Sequence, residues 1–277
     1  MSQAPLALVR QAAATLEAAG CDSPQLDAEV LVAHALGTDR AGLIRMSADP
    51  LPPAMEAAAL ELVERRAKRE PVSQITGRRW FRNLEIHVTP AVLTPRPETE
   101  HLVEWALKLP DGARVADIGT GSGAIALALA DERPDLDIVA TDIDQAALAV
   151  AASNAGRLGL DIAFVQGDLL GAVQGDLDAV VSNPPYIPDG DHAGLDPEVR
   201  DFEPRIALTS GPDGLDAVRR LVVEASGRAI PRIALEIGQG QAEATAAILK
   251  EAGYSEVEIV DDLAGIGRVV AGTRLSR

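Results

Sequence analysis

The stretch Val115-Ala116-Asp117-Ile118-Gly119-Thr120-Gly121-Ser122-Gly123-Ala124-Ile125-Ala126 decides how the rest of the chain is read. An apolar run of strand length breaks into three alternate glycines and resumes as an Ala/Leu-rich helix. That order marks the first strand, turn and helix of an open α/β sheet. Glycine adopts positive φ without cost and leaves the backbone bare, so a ligand can approach closely. The amides that open the helix favour electron-rich ligand groups.

Working outward, Ile138–Thr141 is the next strand, and Asp142 ends it about twenty residues on, where a carboxylate can accept both hydroxyl hydrogens of a ribose. Gly119, Gly121 and Ala124 also satisfy the dinucleotide spacing, so the loop alone indicates an adenosine-bearing cofactor without separating NAD from S-adenosyl-L-methionine. Two details favour the latter. Gly119, Gly121 and Gly123, with Thr120 and Ser122 between them and Asp117 before them, suit a compact methionyl group better than a pyrophosphate. After the third strand, Gly167-Asp168-Leu169 can bring a side chain or an amide to an adenine, although an Asp there also suits a simple turn.

Strands and helices alternate from Arg114 onward. Helices are expected over 124–130, 145–158, 215–225 and 242–252, and strands over 162–165, 179–182 and 232–237. Such alternation predicts a mainly parallel sheet covered on both faces. Two closing strands, near 257–260 and 267–271, have no helix between them and predict one antiparallel edge. The segment 188–201 is polar and acidic and reads as a mobile loop.

Before residue 71 the pattern is helical only. Leu6–Ala19 stops at Gly20, Ser23-Pro24 reads as a cap followed by a first-turn proline, and Pro52-Pro53 opens a helix that runs into the basic cluster Arg65, Arg66, Lys68 and Arg69. The cluster reads as a solvated helix face. Arg79–Arg82 and Leu84–Val88 flank Asn83 and predict a hairpin. The chain is thus expected to divide into a helical bundle (1–72), a β-hairpin linker (73–95) and an α/β domain (96–277).

With 277 residues, 47% of them hydrophobic, the chain can bury a sizeable core, and 3% aromatics leave that core to Leu, Ile, Val and Ala. A net charge of −17 opposes binding to a phosphate backbone. One cysteine, Cys21, excludes an intrachain disulfide, and the histidines 34, 87, 101 and 192 form no metal-spaced pair, so no metal is expected. No leader or long apolar run is seen, which leaves the cytoplasm as the expected compartment and no membrane as partner.

Ser182-Asn183-Pro184-Pro185-Tyr186 follows the fourth strand and so falls at the carboxyl edge of the sheet, beside the glycine loop. An amide nitrogen is a poor nucleophile, because its lone pair is delocalised into the carbonyl. Methylating it requires a site that orients the NH2 group and stabilises the charge developing there. Asn183 supplies a side-chain carbonyl oxygen as acceptor. Pro184 supplies a backbone carbonyl, which Pro185 holds in an extended geometry. Tyr186 can lie against the flat face of the acceptor. A proline-rich turn carrying Asn and Tyr by chance is the competing reading.

These residues, with Val92-Leu93-Thr94-Pro95-Arg96-Pro97-Glu98-Thr99-Glu100, Asn154-Ala155, Phe202-Glu203-Pro204 and Glu236-Ile237-Gly238, resemble the protein-(glutamine-N5) methyltransferases of peptide chain release factors, the HemK-like or PrmC family. The resemblance runs over essentially the whole chain. It implies a seven-stranded Rossmann-like S-adenosylmethionine methyltransferase sheet with an N-terminal helical bundle joined by a short β-hairpin. The implied reaction is transfer to the glutamine of a Gly-Gly-Gln motif in a release factor. The implied cofactor contacts are Gly119–Gly123, Asp142, Asp168-Leu169 and Asn183, and the implied acceptor contacts are Asn183–Tyr186. Asn-Pro-Pro-Tyr is shared with adenine-N6 nucleic-acid methyltransferases, which stand as the alternative. The acidic balance opposes DNA as partner, and a monomer is expected. Arg96 and Glu98 either shape the pocket or pair with each other and cap the helix that follows.

Overall fold

The structure, a computed structural model, describes residues 3–46 and 49–274. It forms two compact units, Met1–Arg78 with Asp196–Phe202, and Arg79–Leu195 with Glu203–Arg277.

The first unit contains α1 (Pro5–Ala18), α2 (Pro24–Ala35), α3 (Arg40–Arg45), α4 (Pro53–Ala67), α5 (Val72–Thr76) and, from much later in the chain, α9 (Pro197–Arg200). Helices α1, α2 and α4 open on proline, whose missing N–H is no loss in a first turn. Ser23 occupies the cap position of α2 but makes no side-chain cap bond, whereas Asp39 caps α3 by accepting from the Gly42 amide at 2.5 Å. Leu8, Val9, Ala12 and Leu16 of α1 pack with Ala28 and Val32 of α2 and Ala59 and Val63 of α4. The basic cluster divides: Lys68 is exposed and Arg65 half-buried, whereas Arg66 and Arg69 turn inward. Arg66 is 6% exposed and pairs with Asp27 at 2.7 Å and Glu198 at 2.9 Å, and Arg69 donates to the same Glu198 at 2.6 Å. Burying a guanidinium requires carboxylates beside it, and α2 and α9 provide them.

The second unit opens with the hairpin β1 (Arg78–Phe81) and β2 (Leu84–His87). Phe81, Leu84 and Ile86 lie in the same apolar cluster as Val103 and Leu127, so the hairpin packs as part of this unit rather than as a free linker. There follow α6 (Glu100–Ala106), β3 (Arg114–Ile118), α7 (Ala124–Glu132), β4 (Asp137–Asp142), α8 (Gln145–Leu158), β5 (Ala163–Gln166), β6 (Ala179–Ser182), α10 (Asp216–Gly227), β7 (Arg232–Glu236), α11 (Ala242–Glu251), β8 (Glu256–Asp261) and β9 (Gly267–Thr273). The sheet has seven strands in the order β5-β4-β3-β6-β7-β9-β8. Strands β3 to β7 are parallel, and β9 runs antiparallel to both β7 and β8. The two closing strands thus form the one antiparallel edge, with β9 lying between β7 and the rim strand β8. The connection after β7 carries the chain out to the rim as β8, and the return hairpin fills the gap beside β7. Helices cover both faces, so β3 is almost wholly buried and β6 wholly so.

The acidic segment 188–201 is not irregular. It forms a 3-10 turn, Asp189–Gly194, and then α9, whose Glu198 belongs to the first unit's ion-pair cluster. Parallel pairing brings the carboxyl ends of β3 to β7 to one edge, and with them Gly119, Asp142, Gly167, Asn183 and Ile237.

Candidate active site

The glycine loop leaves β3 and is tied to β4 where the Thr120 amide donates to the Thr141 carbonyl at 2.8 Å. Gly119 and Gly121 have φ of 71° and 55°, and a Cβ on either would meet nothing within 4 Å. The backbone conformation requires glycine there, and the bare backbone faces open space. Beneath the loop lies Asp117, fully buried, accepting from the Thr120 hydroxyl at 2.6 Å and the Ala126 amide at 3.2 Å. Burial pushes its pKa up to about 7, against the pull of those two hydrogen bonds. Asn154, buried on α8, donates to the carbonyls of Ser122 at 3.0 Å and His87 at 2.9 Å and accepts from the His87 amide at 2.9 Å. One amide thus clamps the glycine loop to the end of β2.

The loop forms one wall of a cavity of about 340 Å³. Of the residues expected at a cofactor, Gly119, Thr120, Gly121, Ser122, Asp142, Asp168, Leu169 and Asn183 line it, while Asp117 and Gly123 lie behind the wall. Asp142 accepts from the Gly121 amide at 2.9 Å and the Asp144 amide at 3.0 Å, which fixes its carboxylate at the cavity, and burial raises its pKa. Asp168 is exposed and pairs with Arg220 at 2.5 Å, so it is more than a turn former. Leu169 has φ 50°, a left-handed conformation uncommon for leucine, and its carbonyl accepts from the Thr141 hydroxyl at 3.3 Å.

Of Asn183–Tyr186, Asn183 and Pro185 line the cavity and Pro184 and Tyr186 do not. The Asn183 Nδ2 donates to the Thr99 hydroxyl at 3.2 Å, and its Oδ1 is buried with no partner. A buried acceptor left unpaired is costly unless a ligand completes it. The Tyr186 backbone is held through its carbonyl, which accepts from Gln241 Nε2 at 2.9 Å, while Gln241 Oε1 accepts from the Gly238 amide at 2.9 Å. Burial, and next the nearby Glu236, push the Tyr186 phenol up to about 12, so it stays neutral at physiological pH and is not a base.

The partners of four contributors escape a sequence reading. Arg96 does not pair with Glu98: its Nη2 donates to Glu203 Oε2 at 2.6 Å, and Glu203 Oε1 accepts from the Thr94 amide at 3.3 Å. Thr99, Gln241 and Glu236 likewise act through space. Arg96, Thr99, Glu203 and Glu236 stand inside the quoted motifs, which gave their presence but not their partners; Gln241 carried no signal.

An open glycine backbone, a fixed carboxylate at the end of the second parallel strand and an apolar rim of Ile118, Ile143 and Leu169 fit an adenosine bearing a methionyl chain. Fold and site together define an S-adenosyl-L-methionine-dependent methyltransferase. Residues 98–195 match the family described as methyltransferase small domain, and residues 7–77 match the PrmC N-terminal domain. Among solved structures, a methyltransferase from Pyrococcus furiosus shares the fold with a TM-score of 0.54 at 19% identity, over 70% of this chain and 90% of that one. The release factor glutamine methyltransferase of Deinococcus radiodurans is 40% identical over 96% of this chain and 97% of its own. That of Bordetella pertussis is 46% identical over 90% of this chain and 94% of its own. The chain belongs to the release factor glutamine methyltransferase family.

Proposed function

We propose that this protein transfers a methyl group from S-adenosyl-L-methionine to the side-chain amide nitrogen (N5) of the glutamine in the Gly-Gly-Gln motif of peptide chain release factors. The observation that carries this reading is the unpaired, buried Oδ1 of Asn183 at the cavity. It is an acceptor waiting for an N–H donor, and a glutamine NH2 group supplies one. The Pro184 carbonyl is assigned the second hydrogen. With both hydrogens held, the group is oriented, and positive charge developing on nitrogen meets two oxygen dipoles fixed in advance.

When bound, the cofactor supplies an electrophilic methyl group on a sulfonium. Gly119–Ser122 cradle its methionyl end, Asp142 takes the ribose hydroxyls, and Asp168-Leu169 border the adenine. Asp117 lies beneath the loop and shapes it without touching the ligand. No side chain at the acceptor serves as a strong base: the Asn183 amide and the neutral Tyr186 phenol take no proton, so the extra proton on nitrogen leaves to water after transfer.

The helical unit is assigned the docking of the protein substrate. The enzyme acts as a monomer in the cytoplasm. With a charge of −17, DNA is disfavoured as substrate. Among the described residues no helix is long and apolar enough to cross a membrane. The test is radiolabelled methyl transfer to a recombinant release factor, run beside its Gly-Gly-Ala variant and a DNA control. Label in the Gly-Gly-Gln protein alone is expected. Label in DNA would replace this reading with the adenine-N6 one, since the same two acceptors can grip an exocyclic amine.

A further inference from the structure

Glu236, the last residue of β7, is 2% exposed, and its Oε2 has no hydrogen-bond partner. Burial of a carboxyl is unfavourable, and no part of the mechanism above requires one here. Its place in the sheet gives it a use. Leu235 of β7 pairs in parallel register with Ser182 of β6, so Glu236 stands at the sheet edge alongside Asn183. Thr99, 4% exposed, bridges the two. Its oxygen accepts from Asn183 Nδ2 at 3.2 Å, and its hydroxyl faces the Glu236 carboxyl closely enough to favour the charged form of that group.

A hydroxyl has a single proton to give. With that proton committed to the Glu236 carboxylate, which can only accept, Thr99 can only accept from Asn183. Asn183 must then turn its NH2 group toward Thr99 and its Oδ1 away from it, free for a ligand's donor. Were the Thr99 proton free, it could donate to Oδ1, and the amide could rotate to present NH2 to the substrate. Two NH2 groups facing each other form no hydrogen bond, and the acceptor grip would be lost.

We propose that Glu236, acting through Thr99, is a positioning residue that sets the orientation of the Asn183 amide and so makes the site selective for an NH2-bearing acceptor. The inference rests on the reading of Asn183 as the substrate's hydrogen-bond acceptor. Protonated Glu236 could itself donate to Thr99 and reverse the relay. Its pKa is pushed up to about 7, by burial first and also by Glu98, against the lowering by Thr99, Arg268 and Arg96, and the adjacent Tyr186 is neutral.

The test compares Thr99→Val, Thr99→Ser, Glu236→Gln, the Thr99→Val/Glu236→Gln double variant and Asn183→Ala. The readouts are kcat against a release factor, calorimetric binding of S-adenosyl-L-methionine, Tm, and the pH profile of kcat. Loss of a supporting hydrogen bond behind a reacting group is expected to lower kcat about tenfold in Thr99→Val and in Glu236→Gln. Cofactor binding should stay unchanged, Thr99→Ser should restore most of the turnover, and the double variant should be no worse than either single one, because both act on one relay. The wild type should lose kcat as pH falls through the neutral range, and Glu236→Gln should flatten that limb. Wild-type kcat in folded Thr99→Val and Glu236→Gln, with Asn183→Ala inactive, would overturn the relay alone. Full activity of Asn183→Ala would overturn the reading beneath it.

Discussion

Asn183 is gripped from one side only. Thr99 takes its NH2 group, and its carbonyl oxygen is left for a ligand. Asn183→Ala removes that acceptor without crowding the site, so it should keep the Tm while lowering kcat about a hundredfold or more. Steady-state kinetics beside calorimetry checks this. Asp117 makes a different prediction at the same scale. Its pKa is raised to about 7 in the folded protein. Between the ordinary carboxylate range and neutrality the unfolded chain has released this proton while the folded chain keeps it. The contribution to stability therefore falls as pH rises across that window and is level above it. Glu236, also raised to about 7, has the same sign. Asp117→Asn cannot titrate, so the drop in Tm between pH 5 and pH 8 should be smaller in that variant than in the wild type, as a thermal series would show. Among single residues, those that could be read from the chain were the ones whose chemistry is local. The glycines, Asp142 and Asn183 sit in contiguous motifs. Thr99, Glu203, Glu236 and Gln241 gain their meaning from partners 84, 107, 137 and 55 residues away, across strands that only folding aligns.

At the scale of elements, the turn from β3 into α7 is the most constrained. Gly123 begins α7 with φ 86°, and a Cβ there would lie 3.1 Å from Leu127 Cδ1 and 3.2 Å from Ala151 Cβ. Gly123→Ala combines left-handed strain with crowding between α7 and α8, so a loss of about 2 kcal/mol in stability and weaker binding of S-adenosyl-L-methionine are expected. Chemical denaturation and calorimetry together measure both. Helix α8 and strand β6 were legible to the residue, because apolar periodicity and the caps Asp144 and Gly159 bound α8, and an unbroken apolar run marks a doubly covered strand. The order of β8 and β9 was not legible. The short connection after Asp261 requires the two to be antiparallel, but which one lies against β7 depends on where the chain emerges from α11, and no local pattern encodes that. The cap position of α2 was legible, with Ser23 at the N-cap and Pro24 in the first turn, but the cap bond was not: the Ser23 backbone, φ −126° and ψ 55°, is not the extended one in which a serine reaches back to the helix amides.

On the scale of the whole molecule, two compact units share one chain that leaves the first, builds most of the sheet, and re-enters the first at Asp196–Phe202. Glu198 enters a cluster with Arg66 and Arg69, and the Gln74 side chain donates to the Phe202 carbonyl at 2.7 Å. The basic run 65–69 looked like a solvated face because its main partner is more than a hundred residues later. Removal of residues 1–72 should leave a protein that still binds S-adenosyl-L-methionine, since every residue lining the cavity comes from the second unit. Transfer to an intact release factor should fall sharply, because the unit assigned to docking is gone. Undiminished transfer by the truncated protein would remove that role from the helical unit.

The central claim is that the acceptor is a glutamine side-chain nitrogen, and mapping the methyl group tests it most directly. A release factor incubated with this enzyme and S-adenosyl-L-methionine is digested, and its peptides are sequenced by tandem mass spectrometry. The expected result is a single methyl group on the Gly-Gly-Gln peptide, located on the glutamine side chain and absent when the enzyme carries Asn183→Ala. A methyl group on any other residue, or an unmodified Gly-Gly-Gln peptide beside an enzyme that binds its cofactor, would contradict it.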